Sequence, residues 1–265
     1  MINIIKSKDN DKIKYTKSLL KTKGRNKEKK FIIEGYRILT LALECDAKLK
    51  YVFINEDFEK KQDHKVLLEE LENKNIKIYK TSNKIFSEMV DTENTQGILA
   101  VLRYKERDLV NNINQDDKFV LILDRIQDPG NMGTIIRTAD SAGVDAIILL
   151  KGCVDIYNPK VIRSTMGSIF DMNIIQTTQD EAVDFLKANN FDIVSSYLHT
   201  ESYYNETTYD GKIALVIGNE ANGINDELIS KSDKLVKIPI YGNAESLNAA
   251  ISAAILMYEI KKYLV

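Results

Sequence analysis

Apolar residues fall along this chain in short continuous runs, and between the runs they recur at helical spacing. The pattern is clearest from Phe119 to Leu150. Phe119 to Leu123 is long enough for a buried strand, and Asp128, Pro129 and Gly130 then break it as turn residues. Asn131 follows as an N-cap for a helix in which Met132, Ile135, Ile136, Ala139 and Gly143 pack down. Thr134, Arg137 and Ser141 are left on the open face. Ala146 to Leu150 is apolar again, so the unit reads strand, turn, helix, strand. Joined as a parallel crossover, it places its first loop at the carboxyl edge of a sheet, where ligands bind.

The same alternation extends both ways. Upstream, it predicts a helix from Lys12 to Lys23 ended by Gly24, strands at Phe31 to Glu34 and Leu49 to Ile54, and a helix over Gly35 to Cys45. A charged helix from Glu59 to Asn73 presents Val66, Leu67, Leu68 and Leu71. Ile76 to Tyr79, a short helix at Ser82 to Val90, and a strand at Gly97 to Leu102 complete a small α/β domain over residues 1–104. Residues 105–118 are polar and read as a linker. Residues 119–265 form the second domain, with further strands at Met172 to Ile175, Asp192 to Tyr197, Ile213 to Ile217 and Leu235 to Ile238. Helices at Lys160 to Gly167, Asp180 to Asn189, Asp226 to Ser230 and Asn248 to Tyr263 separate or follow them. Strands alternating with helices of this length indicate a mostly parallel sheet covered on both faces.

Composition narrows the function. At 265 residues and 44% hydrophobic, the chain can bury the cores of two domains. No apolar run is long enough to span a bilayer, and Met1 to Asn10 is polar and charged, unlike a signal peptide, so a cytoplasmic location is expected. Cys45 and Cys153 have no ligand spacing, and His64 and His199 are the only histidines, which argues against a metal site or a histidine-based triad. The net charge of −2 hides an asymmetry: residues 6–30 carry eleven Lys or Arg against three acids, a net of +8. Such a segment is either a polyanion contact or a solvated, Lys-rich helix.

Three stretches carry candidate chemistry. The first is the Asp128 to Arg137 turn and helix start, where a guanidinium near a strand's carboxyl end suits a phosphate or an alkoxide. The second is ALVIGNEANGI, Ala214 to Ile224, an apolar strand that ends in Gly218 and leads to Glu220 in a Gly-containing loop. It matches neither GxGxxG nor GxxxxGKS/T, so it predicts neither a dinucleotide nor an ATP site. The third is KIPIYGNAESLNAAISAAILMYEI, Lys237 to Ile260, in which a turn at Gly242 and Asn243 precedes an Ala-rich helix suited to close packing within the core or between subunits. Ser246 is its predicted N-cap, and with Asn248 it places polar groups at the open end.

In order and spacing, PGNMGTIIRTADSAG, VIGNEANGI and IPIYGNAESLNAAISAAI resemble the three motifs of the SpoU/TrmH family of RNA ribose 2′-O-methyltransferases in the SPOUT superfamily. KKFIIEGYRILTLAL and TQGILAVL resemble the accessory substrate-binding domain of its ribosomal RNA branch, a small ribosomal-protein-like α/β module. The resemblance implies an α/β parallel-sheet SPOUT domain with a deep trefoil knot, a homodimer through that domain, and S-adenosylmethionine bound in the knot. By motif position, Gly218, Asn219, Ile238, Ile240, Ser246 and Leu247 would hold the cofactor. Arg137, Asn131, Glu220, Ser246 and Asn248 would form the catalytic group, with Arg137 serving the cofactor of the other subunit. Lys23, Arg25, Lys29, Lys30 and Arg37 are the expected RNA contacts. The implied substrate is ribosomal RNA, most readily 23S. Transfer RNA, a resistance-conferring methylation of rRNA, and a non-catalytic RNA-binding assembly factor stand as alternatives.

Overall fold

The structure, a computed structural model, describes residues 2–264. Its backbone separates into two units, one of residues 1–105 and 157–170, the other of residues 106–156 and 171–265.

In the first unit, strands β1 (Ile2–Ile4), β2 (Lys30–Glu34), β3 (Leu49–Ile54), β4 (Lys77–Lys80) and β5 (Ile98–Arg103) form a mixed sheet in the order β1-β4-β3-β5-β2. Strands β1, β4 and β3 run parallel, and β5 runs antiparallel to both its neighbours. Successive residues Phe31, Ile32 and Ile33 are all buried, so both faces of β2 are covered. The helices are α1 (Asp11–Ser18), α2 (Thr22–Glu28), α3 (Tyr36–Glu44), α4 (Gln62–Asn73) and α5 (Asn83–Ser87). Ile13 of α1 and Ile85 and Phe86 of α5 share one core with Leu19, Ile32, Phe53, Leu99 and Val101.

Three local expectations are corrected here, and one strand appears that the pattern did not predict. The predicted helix over Lys12 to Lys23 is two helices, and Gly24 lies inside the second rather than ending the first. A Cβ on Gly24 would meet the Ser18 carbonyl oxygen at 2.1 Å, so glycine allows the turn between them. Val66 faces outward at 62% exposure, while His64, Leu67, Leu68 and Leu71 face the core. The charged N-terminus supplies the edge strand β1, paired with β4. Finally, the segment Tyr157–Phe170, with its helix at Pro159–Thr165, packs with the first unit. Tyr157 stacks on Tyr104 with centroids 3.9 Å apart and contacts Phe31 at 4.5 Å, and Arg163 pairs with Asp91 at 2.6 Å.

In the second unit, six parallel strands lie in the order β11-β9-β10-β6-β7-β8: β6 (Phe119–Leu123), β7 (Ala146–Leu149), β8 (Ile174–Gln176), β9 (Phe191–Ser196), β10 (Lys212–Ile217) and β11 (Lys234–Val236). Every residue of β6 has zero exposure, as a strand covered on both faces requires. Residues 105–118 are not wholly irregular: Leu109–Asn112 is a short helix whose Leu109, with Ile113, joins the core of this unit. From β6 the sheet grows one way through β7 and β8 and the other way through β10, β9 and β11. The β6/β10 pair is therefore a topological switch point, and parallel strands bring their following loops to one edge there. Helix Pro129–Ser141 follows β6, and helix Ala249–Leu264 follows β11. Lys261 of the latter donates to the carbonyl of Gly143 at 2.9 Å. Gly143 itself does not pack down; it is exposed, with φ +67°, and follows the helix end in a left-handed conformation. No helix among the described residues is long and apolar enough to cross a membrane.

Candidate functional site

The three chemical stretches meet at the switch point, and a continuous chain of hydrogen bonds joins them. Glu220, in the loop after β10, accepts the backbone N–H groups of Gln127 (3.3 Å) and Asp128 (3.2 Å) and the side-chain amide of Asn131 (3.1 Å). The oxygen of Asn131 in turn accepts from Asn248 Nδ2 at 2.9 Å. Asn248 Oδ1 accepts the N–H groups of Ala250 and Ile251 and so caps the last helix. One carboxylate thus aligns a turn, a helix start and, through two amides, a second helix start. Burial opposes ionisation of Glu220, but the Asn131 amide and the backbone N–H donors prevail and hold its carboxyl below the usual range.

Both predicted caps are corrected. Asp128, not Asn131, caps the helix after β6: its Oδ1 accepts Asn131 N–H at 2.8 Å, and Pro129 takes the first helical position. Proline has no N–H to lose there and its φ suits the first turn, so the cap falls one residue before it. Asn131 is then released to bridge Glu220 and Asn248. At the other helix the cap is Asn248, and Ser246 is exposed in a loop whose residues 241–248 are all exposed.

Beneath this network lies a brace that sequence reasoning missed. Asp124, at the end of β6, is 3% exposed and binds Arg125 through two contacts of 2.9 Å while accepting the Asn225 N–H at 2.8 Å. Arg125 sits at φ +57° and reaches the Gly223 carbonyl at 3.2 Å. Its own carbonyl accepts from Asn219 Nδ2 at 2.9 Å. Asn219 Oδ1 accepts the N–H groups of Ala221 and Asn222, so this side chain is engaged inside the loop rather than presented to a ligand. Asn219 and Gly223 also exchange backbone bonds at 3.0 Å in both directions. A Cβ on Gly218 would lie 2.4 Å from the Gly223 carbonyl carbon, which explains the glycine. The signal for the brace was an Asp-Arg pair directly after a fully apolar strand.

Around this rigid centre the other predicted residues are open. Arg137 is exposed on the helix after β6, two turns beyond Pro129. Leu247 is 38% exposed. Gly218, Ile238 and Ile240 are half-buried, and their N–H groups and that of Leu247 find no protein acceptor among the described residues. Unpaired backbone donors beside aliphatic side chains, in the segments that follow β10 and β11, suit a ligand with polar edges and an apolar face, as an adenosyl group has. Cys153 is no nucleophile: burial pushes its thiol up to about 11, and it donates to the Leu123 carbonyl.

Residues 118–258 match the SpoU rRNA methylase family profile. The chain belongs to the SpoU rRNA methylase family. Residues 10–100 match an MRM3-like substrate-binding domain. The chain is 36% identical, over 97% of its length and 98% of the relative's, to the 23S rRNA (guanosine(2553)-2′-O)-methyltransferase RlmP of Bacillus subtilis. A crystal structure of an rRNA methyltransferase from Sinorhizobium meliloti superposes with a TM-score of 0.90 at 27% identity, covering 100% of this chain and 99% of that one. The AdoMet-bound form of that protein gives 0.89, with the same identity and coverage.

As a SpoU methylase, the chain carries its expected RNA contacts on the first unit, and one of them is corrected. Arg25 is 1% exposed and donates to the carbonyls of Leu19 and Leu20 and to Thr22 Oγ1, tying α2 to the end of α1. It is an internal brace. Lys23, Lys29 and Arg37 are exposed, and Lys30 is half-buried against Tyr15.

Proposed function

We propose that this SpoU methylase transfers the methyl group of S-adenosylmethionine to a ribose 2′-hydroxyl of 23S ribosomal RNA. The observation that carries the reading is the hydrogen-bonded chain Glu220–Asn131–Asn248, which joins all three motifs at the carboxyl edge. The backbone groups of Gly218, Ile238, Ile240 and Leu247 would hold the cofactor, which would supply an electrophilic methyl on a sulfonium. In the reaction the O2′–CH3 bond forms, the C–S bond breaks and the 2′-hydroxyl proton leaves to solvent or a nearby base. A ribose hydroxyl is a weak nucleophile at neutral pH, so alignment and help for the developing alkoxide set the rate. Arg137 provides that help. Its guanidinium stays charged, so it acts by fixing a phosphate beside the target ribose and stabilising the alkoxide rather than by removing the proton. Asn131, held by Glu220 and Asn248, orients the ribose, and Ser246, exposed on the loop before the last helix, contacts the ligand.

The enzyme acts in the cytoplasm as a homodimer. Ile251 and Tyr258 are exposed seven residues apart on the last helix, with Leu247 exposed just before it, an apolar surface that a second copy would cover. The trefoil knot belongs to the same reading and is supported by the return of Asn248 to the edge that Asn131 and Glu220 occupy. Labelled methyl transfer to 23S rRNA, to large ribosomal subunits and to bulk transfer RNA tests the substrate. Label in ribosomal RNA is expected. Label in transfer RNA alone would reassign the substrate, and failure to bind the cofactor would leave only an RNA-binding assembly factor.

A further inference from the structure

The first unit carries a group of cations at the end of its sheet where α2 runs into β2, remote from Arg37. The antiparallel register of β2 and β5 sets Lys30 directly opposite Arg103, at the end of β2 remote from Gly35 and α3. On the other side of β5, β3 pairs Leu49 with Leu102 and Tyr51 with Val101, so Lys50 is the extra residue of a β-bulge. A bulge breaks the strict alternation of a strand and re-aims the side chain that it carries. Arg103 N–H donates to the Lys48 carbonyl at 3.1 Å, which fixes a fourth cation at the same strand ends.

These groups feel one another. Desolvation, followed by Arg103, Lys30 and Lys48, pushes the Lys50 ammonium below its ordinary value, and every neighbouring charge acting on it is positive. Lys30 is steadied by the Tyr15 hydroxyl at 2.7 Å and by Glu28 at 3.9 Å. Among the described residues no carboxylate forms an ion pair with Lys48, Lys50 or Arg103. Like charges facing each other across strands destabilise a sheet, and an anion lying over Lys48, Lys50 and Arg103 would relieve that repulsion. Neighbouring strands are about 4.8 Å apart, so cations on three of them span roughly 10 Å. That is more than one phosphate needs and suits a chain of them.

We infer that Lys48, Lys50 and Arg103 continue from Lys30 across the strand ends as a track for the RNA phosphate backbone, extending the expected contact onto β5 and β3. The inference rests on the RNA substrate proposed above. It is tested in the full chain with the triple variant Lys48→Gln, Lys50→Gln, Arg103→Gln, by filter binding to a 23S rRNA transcript across a series of salt concentrations. Calorimetry with S-adenosylmethionine runs in parallel. The slope of log affinity against log salt is expected to shrink by about two to three, near one for each phosphate no longer neutralised, with cofactor affinity unchanged. Wild-type slope and affinity in the variant would overturn the track while leaving the methyltransferase reading intact. Salt-insensitive or absent RNA binding by the wild type would overturn both. Should the triple variant lose cofactor affinity through misfolding, Lys50→Gln alone decides: a slope reduced by about one supports the track, and an unchanged slope rejects it.

Discussion

The two halves of the site are built differently. On one side Asp124, Arg125, Asn131, Asn219, Glu220 and Asn248 are joined by hydrogen bonds that leave few of their polar atoms unpartnered. On the other side Arg137, Ser246 and Leu247 are exposed, and the N–H groups of Gly218, Ile238 and Ile240 have no protein acceptor among the described residues. The interlocked half fixes loop geometry before any ligand arrives, which is what catalysis by alignment requires. The open half makes its contacts only with ligand, and in particular where charge develops. Substitutions in the first should therefore cost stability as well as rate, whereas substitutions in the second should cost rate alone.

The largest separation of the two effects is expected at Arg137. Arg137→Ala should lower methyl transfer by about 100-fold or more while thermal stability stays within about 0.5 kcal/mol, because an exposed side chain leaves no buried group behind. Arg137→Lys should not restore the rate, since lysine lacks the planar fork; a fully active lysine variant would break the comparison. Asp124→Ala is the converse. It strips the partner from Arg125 and the acceptor from the Asn225 N–H. Breaking a fully buried pair costs about 3–5 kcal/mol; with Arg125 32% exposed, a loss of about 2–3 kcal/mol in denaturant unfolding is expected.

A smaller effect, visible against pH, belongs to Glu220. Its carboxyl titrates lower in the folded chain than in the unfolded one, so the folded state favours the ionised form. The resulting stability is present in full above the unfolded value of about 4.3 and is lost as pH falls through the folded value. The stability gap between wild type and Glu220→Gln should narrow as pH drops from about 6 to 3. A gap that stays constant, or widens in acid, would remove Glu220 from the network.

Much of this could be read from the chain because parallel sheets advertise themselves. Phe119 to Leu123 and Ile213 to Ile217 are uninterrupted apolar runs, and their polar successors had to lie at the carboxyl edge. What could not be read was which polar side chain meets which backbone group. Asn131 and Ser246 are good capping types, but Pro129 fixes the first cap at Asp128, and the second goes to Asn248, whose oxygen reaches two N–H groups. Arg25 looked like one cation among eleven, and only the sharp turn between α1 and α2 turns it inward onto two carbonyls. The affiliation of Tyr157–Phe170 with the first unit was equally hidden, because it depends on Tyr157 stacking with a residue 53 positions earlier in the chain.

The most direct measurement is the chemical position of the transferred methyl. After incubation with methyl-labelled S-adenosylmethionine, 23S rRNA is hydrolysed in alkali, which cleaves each linkage through the neighbouring 2′-hydroxyl and spares a linkage whose 2′-oxygen is methylated. Ribose methylation predicts label in an alkali-resistant dinucleotide, absent with Arg137→Ala. Label recovered in single nucleotides, and therefore on a base, would contradict it.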